Sequence, residues 1–139
     1  MQLSNKETKL IRESYLAARD EIEKASVDFY NRLFDRSAEI KQLFRTDMDD
    51  QGMRFMTALG VIILALDEPK RLAEALDGLG QGHAALGIRV DQYAIMTDVL
   101  VETLAAHSGE HWSQATEVAW RHALDQVAEG MTRHIRPAA

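Results

Sequence analysis

The stretch GLGQGHAALGI, Gly78 to Ile88, admits two incompatible readings. Glycines at alternate positions suggest a loop that cradles phosphate. A lone histidine behind them suggests a ligand carried on a helix. The phosphate reading asks for G-x-G-x-x-G directly after a strand and opening a helix. Here His83 stands where the third glycine belongs, the preceding RLAEALDGL is helix-like, and no lysine–serine pair is present. The helical reading has more physical content. Leu72, Leu76, Leu79, His83 and Leu86 recur at helical intervals, which puts the histidine on the inward stripe. Gly80 and Gly82 each cost such a helix about 1 kcal/mol against alanine, so close approach of another backbone or of a flat ligand must offset them. Taken alone, the helix still fits a core histidine better than a ligand.

The segments on either side are helical too. Ser4 followed by Glu7 is a capping-box signature that opens a helix carrying Leu10, Ile11 and Leu16. A second helix, about Asp20 to Phe34, carries Ile22, Ser26, Phe29, Tyr30 and Leu33 at turn spacing. SAEIKQLF, Ser37 to Phe44, reads as a short helical turn, and the aspartate-rich RTDMDDQG as a loop and acidic first turn. The helix that follows, roughly Asp47 to Leu66, sets Gln51, Phe55, Ala58, Leu59 and Ile62 on one face. Pro69 stands where a helix begins. Two long helices, about Val90 to Ala106 and Trp112 to Ile135, flank an HSGEH loop that contains His107 and His111. The expectation is one all-α domain, residues 1–139, of six to eight helices.

Bulk properties narrow the function. A chain of 139 residues is long enough to bury one sizeable core. A net charge of -6 leaves no basic field for nucleic acid. The absence of cysteine excludes disulfides, thiolate chemistry and cysteine-held zinc or iron–sulfur centres. The longest apolar run, Ala58 to Leu66, is too short to span a bilayer, and the start MQLSNKETKL has no signal-peptide core. A cytoplasmic protein without membrane partners is therefore expected. No E-x-x-H occurs, which argues against a di-iron helical bundle.

The helices read together change the weight of His83. Gln51 is the single polar residue on the inward face of its helix, Tyr30 sits among apolar neighbours, and Phe44 ends the short turn between them. A histidine facing a glutamine and a tyrosine across an apolar space walled by phenylalanine resembles a haem pocket. FYNRLF, AEIKQLF, DMDDQG, QGHAALGIRVDQY and the tryptophan of VAWRHAL then fall in the order found in bacterial globins. The chain resembles that family along essentially its whole length, specifically the flavohaemoglobin and single-domain haemoglobin branch. Its most specific element is HAALGIRVDQY, and Gln51 precedes His83 by the expected 32 residues.

The resemblance implies a globin fold enclosing haem b, with His83 as the iron ligand and the opposite coordination position open to O2, NO or CO. Tyr30 and Gln51 match the distal pair, a phenol O–H and an amide N–H suited to a bound gas that takes on negative charge. Phe44 matches the phenylalanine wedged against the porphyrin. Phe55, Leu59, Leu79, Leu86, Ile88 and Met96 would complete the apolar walls, Arg54 would reach a haem propionate, and Ser26 and Gly52 would let two helices cross closely. Tyr93 matches a proximal tyrosine that flavohaemoglobins pair with a glutamate on the last helix. Counted from Trp120, that position falls on Ile135. Glu129, six residues earlier, lies about 120° around the axis, so a weaker electron push from the proximal side is expected. The chain is also expected to lack a flavin domain, ending as it does at RHIRPAA. The functions implied are reversible O2 binding and NO dioxygenation with a separate reductase. O2 carriage without turnover and gas sensing through a partner are the alternatives. The oligomeric state is not legible in the sequence.

Overall fold

The computed structural model describes residues 2–44 and 48–133, apart from the side chains of 48–53 and 56. Among these residues the elements are α1 (Asn5–Arg19), α2 (Ile22–Arg36), α3 (Ala38–Leu43), α4 (Met48–Leu64), α5 (Pro69–Leu86), α6 (Tyr93–His107) and α7 (Gln114–Thr132). Single 3-10 turns, Val90–Gln92 and Gly109–His111, precede α6 and α7. No strand occurs among the described residues. The all-α expectation holds.

Local chemistry sets the helix ends. Ser4 Oγ accepts from the Glu7 amide at 3.0 Å, and Glu7 Oε1 accepts from the Ser4 amide at 3.0 Å, closing the box that opens α1. Ser37 ends α2 and, by accepting from the Ile40 amide at 3.2 Å, starts α3. Pro69 takes the first turn of α5, where its missing N–H leaves no helical bond unmade. Gly87 ends α5 at φ 103°, a left-handed conformation that glycine adopts without steric penalty. The Ile88 amide then bonds back to His83 O at 3.0 Å, turning buried Ile88 inward.

Helix α7 packs on α1, α5 and α6, while α2 packs on α4 and α6. Trp120 of α7 is 2% exposed, and its Nε1–H donates to Ser14 Oγ at 2.7 Å, so the ring is buried with its one donor satisfied. Of the apolar residues on α1, Leu16 is 50% exposed; Ile11, Ser14, Tyr15 and Ala18 are the buried set. His107 is not in a loop. It closes α6, half-buried, with Nε2 3.0 Å from Asp28 Oδ2 on α2.

Candidate functional site

A single histidine with one ring nitrogen already committed has one lone pair left to offer. His83 stands near the end of α5, and its Nδ1 lies 2.7 Å from the carbonyl oxygen of Leu79, one turn earlier. A carbonyl only accepts, so the proton sits on Nδ1 and the lone pair on Nε2. The same bond fixes the ring's orientation. The tilted ring of Tyr93 lies alongside, with centroids 5.8 Å apart.

His83 borders a cavity of about 400 Å³ between α2, α4, α5, α6 and α7. Eleven of the twelve residues singled out in the sequence line it: Tyr30, Phe44, Arg54, Phe55, Leu59, Leu79, His83, Leu86, Ile88, Tyr93 and Met96. The twelfth, Gln51, lies on α4, but its side chain is outside the described residues; Gly52 follows it on the same helix. Ser26 is buried on α2, which packs against α4. Arg54 and Leu86 differ from the others in being exposed, which puts them at the mouth rather than in the walls.

All four phenylalanines of the chain gather around Tyr30. Phe29, Phe44 and Phe55 present edges or faces to it at 5.1, 5.5 and 6.0 Å, and Phe34 lies tilted at 5.7 Å. Phe29 and Phe55 stack on each other at 4.3 Å, tying α2 to α4. Such contacts each contribute roughly 0.5–1.5 kcal/mol beyond area burial and hold the tyrosine ring in place. The phenol of Tyr30 is thereby fixed on the cavity wall formed by α2 and α4.

On the His83 side the polar chemistry is different. Tyr93 is 7% exposed, and its hydroxyl has no hydrogen-bond partner among the described residues. Burial pushes its phenol above the ordinary value, so it stays protonated and a donor. Glu129 is exposed on α7, as its position around the helix implied, and Ile135 lies outside the described residues. No aspartate or glutamate among the described residues lines the cavity.

Sequence reasoning missed the floor. Leu124, Val127 and Met131 line the cavity from α7, at helical spacing that a closer reading of that helix would have caught. Phe29 and Leu33 join them from α2. The glycines of the opening stretch also separate. A Cβ on Gly80 would fall 2.1 Å from the backbone oxygen of Met131, so this glycine admits the α7 backbone. Gly78 and Gly82 instead border the cavity.

Comparison with known proteins agrees with this architecture. The family model described as Globin matches residues 27–131. Flavohemoproteins of Bordetella pertussis, Chromobacterium violaceum and Rhizobium meliloti are 28%, 29% and 27% identical to this chain over 105 residues. The match covers 73% of this chain but 26% of each relative, so it spans about a quarter of their length.

Proposed function

Since the chain belongs to the globin family, we propose that its cavity holds haem b with His83 Nε2 on the iron, and that the site binds O2 reversibly, with NO and CO as further ligands. One observation carries this reading: a histidine whose Nδ1 is tied to a backbone carbonyl at 2.7 Å borders a mostly apolar cavity. The donor set fits the group. Imidazole nitrogen is a good iron ligand, and the apolar walls suit a porphyrin face. His83 would hold the iron, and the chemistry haem would supply there is reversible binding of diatomic gases.

The chain's own residues have distinct tasks. The Leu79 carbonyl selects the tautomer that leaves Nε2 unprotonated and aims the ring. Leu59, Leu79, Ile88 and Met96 exclude water, and Phe44 packs against the porphyrin. Arg54, at the mouth, pairs with a propionate. Tyr30, held by its phenylalanines, would donate a hydrogen bond from its hydroxyl to a ligand that carries partial negative charge. The family resemblance assigns a second, amide donor to Gln51 on α4, whose side chain lies outside the described residues. Each such bond contributes roughly 1.5–3 kcal/mol, enough to slow gas release tenfold or more.

Two uses of the gas have support. The tyrosine–glutamine pair and the flavohemoprotein relatives favour NO dioxygenation with electrons from a separate reductase. The Tyr93 hydroxyl without a partner among the described residues and the exposed Glu129 favour O2 carriage, because no carboxylate among the described residues lies on the cavity to charge the proximal histidine. Tyr30→Phe is expected to raise the O2 dissociation rate at least severalfold in stopped-flow measurements; an unchanged rate would remove Tyr30 from the gas site. Mixing the O2-loaded protein with NO separates the two uses. Rapid oxidation to ferric protein with stoichiometric nitrate, sustained when reductant is supplied, supports dioxygenation. Its absence leaves carriage.

A further inference from the structure

We propose that Arg89 and Glu39 form an ion-pair strap across one edge of the cavity, and that as positioning residues they set how fast its occupant leaves. The inference rests on the haem-pocket reading and adds a control on retention exerted from outside the cavity.

The two sides of this edge come from distant parts of the chain. Helix α3 leads directly into Phe44, and the corner after α5 contains Ile88; both side chains line the cavity. Phe44 packs on the ring of Tyr30 at 5.5 Å, and the Ile88 amide bonds to His83 O at 3.0 Å. Whatever joins α3 to this corner therefore joins the Tyr30 side of the cavity to the His83 side. An apolar contact and an ion pair make that junction. A Cβ built on Gly87 would lie 3.3 Å from Leu43 Cδ2, so the leucine rests against the turn. One turn before Leu43, on the same face of α3, Glu39 Oε2 accepts from Arg89 Nη2 at 3.0 Å.

Arg89 is held for this bond at both ends. Its amide donates to Oε1 of buried Gln92 at 2.8 Å, and its carbonyl accepts from the Gln92 amide at 3.0 Å. Its Nε and Nη2 donate to the two carboxylate oxygens of Asp91 at 3.0 and 3.2 Å. The planar fork of the guanidinium lets Asp91 fix its orientation while Nη2 still reaches Glu39. The side chains of Arg89 and Glu39 are 56% and 71% exposed. Such a pair adds little to global stability and is screened by salt. It closes a stretch of 50 positions, so its effect falls on local opening of the corner rather than on unfolding of the whole. Release of a bound molecule through that edge is the process it governs.

The test loads the full chain with hemin and follows transfer to an excess of a haem-accepting protein. Glu39→Gln and Arg89→Gln are each expected to release hemin about threefold faster than the unmodified protein in about 10 mM salt. The difference should vanish at about 1 M salt, where the screening length is about 3 Å. Denaturant midpoints should barely move, and adding Glu39→Gln to Arg89→Gln should bring no further acceleration. In the apoprotein, hydrogen exchange at the Ile88 amide is expected to quicken in both single variants. Release at the unmodified rate in low salt would overturn the proposal. So would acceleration that survives 1 M salt, that accumulates in the double variant, or that matches a loss of global stability. Unchanged exchange at Ile88 in both variants would overturn it as well. If the unmodified protein takes up no hemin, the haem reading falls, and Ile88 exchange alone then decides the strap.

Discussion

Helix α5 is two structures in one. Up to Gly80 its inward residues Leu72, Leu76 and Gly80 are buried, and this half is packed against α7 through the Gly80–Met131 approach. From Gln81 to Gly87 every residue except half-buried His83 is exposed. The backbone ladder runs through both halves, so the difference is one of packing alone. The first half is held by protein. The second borders the cavity, and among the described residues its neighbours include Tyr93 beside His83 and Leu43 beside Gly87. Among the described residues close approach of α7 is made at Gly80, whereas Gly78 and Gly82 on either side of it border the cavity.

Substitutions can break that comparison, beginning with the one expected to do most. Gly80→Ala pushes a methyl group into the Met131 carbonyl, which backbone movement alone can relieve. A loss of about 3 kcal/mol is expected from denaturant unfolding of the apoprotein; a loss near zero would mean that α5 and α7 are not in close contact. Gly130→Ala, on the facing helix, tests the same junction more gently. Its Cβ would approach Leu76 Cδ1 at 2.7 Å, the end of a flexible side chain, and a loss of about 1 kcal/mol is expected because that end can move.

Charge makes a smaller contribution on the packed side. Partial burial raises the Asp28 carboxyl, but hydrogen bonds from Arg32 and His107 outweigh it and hold the group below its ordinary value. The folded protein therefore binds this proton less readily than the unfolded chain. The stability it contributes is complete above the ordinary carboxylate value of about 4 and is lost as pH falls through the lower folded value. Unfolding midpoints at pH 5 and pH 3 should fall further for the unmodified protein than for Asp28→Asn, by less than about 1 kcal/mol as suits a partly exposed pair. Equal falls would remove the pair from the acid response. The smallest effect belongs to the cavity side. Tyr93→Phe deletes a hydroxyl that has no protein partner among the described residues, so the apoprotein should be as stable as before or slightly more so. A loss of 1 kcal/mol, on the order of a made hydrogen bond, would show that the hydroxyl is satisfied by protein and that the two sides of the molecule differ less than proposed.

What was legible in the sequence follows the range of the interactions. The Ser4–Glu7 box, Pro69 at the start of α5 and the Leu72–Leu76 stripe depend on neighbours within a turn or two, and each is found where expected. The cavity's outline is legible from helical spacing joined to a family resemblance, which brings Tyr30, Phe44 and His83 to one place, and all three line the cavity. Long-range partners were not legible. Gly80 and Gly82 look alike in sequence, and only Met131, more than fifty positions away, tells them apart. His107 looked like loop because the carboxylate that holds it, Asp28, belongs to another helix. Leu86 fits the stripe yet is 39% exposed, at the mouth of the cavity.

The most direct test is the absorption spectrum of the protein supplied with hemin, recorded in the ferric, dithionite-reduced and CO-bound states alongside His83→Ala. A sharp Soret band near one haem per chain, shifting on reduction and again with CO, and lost or badly weakened in the variant, is the predicted result. Loose, non-stoichiometric uptake with no defined CO complex, or a variant spectrum identical to that of the unmodified protein, would contradict the assignment of His83 as the iron ligand.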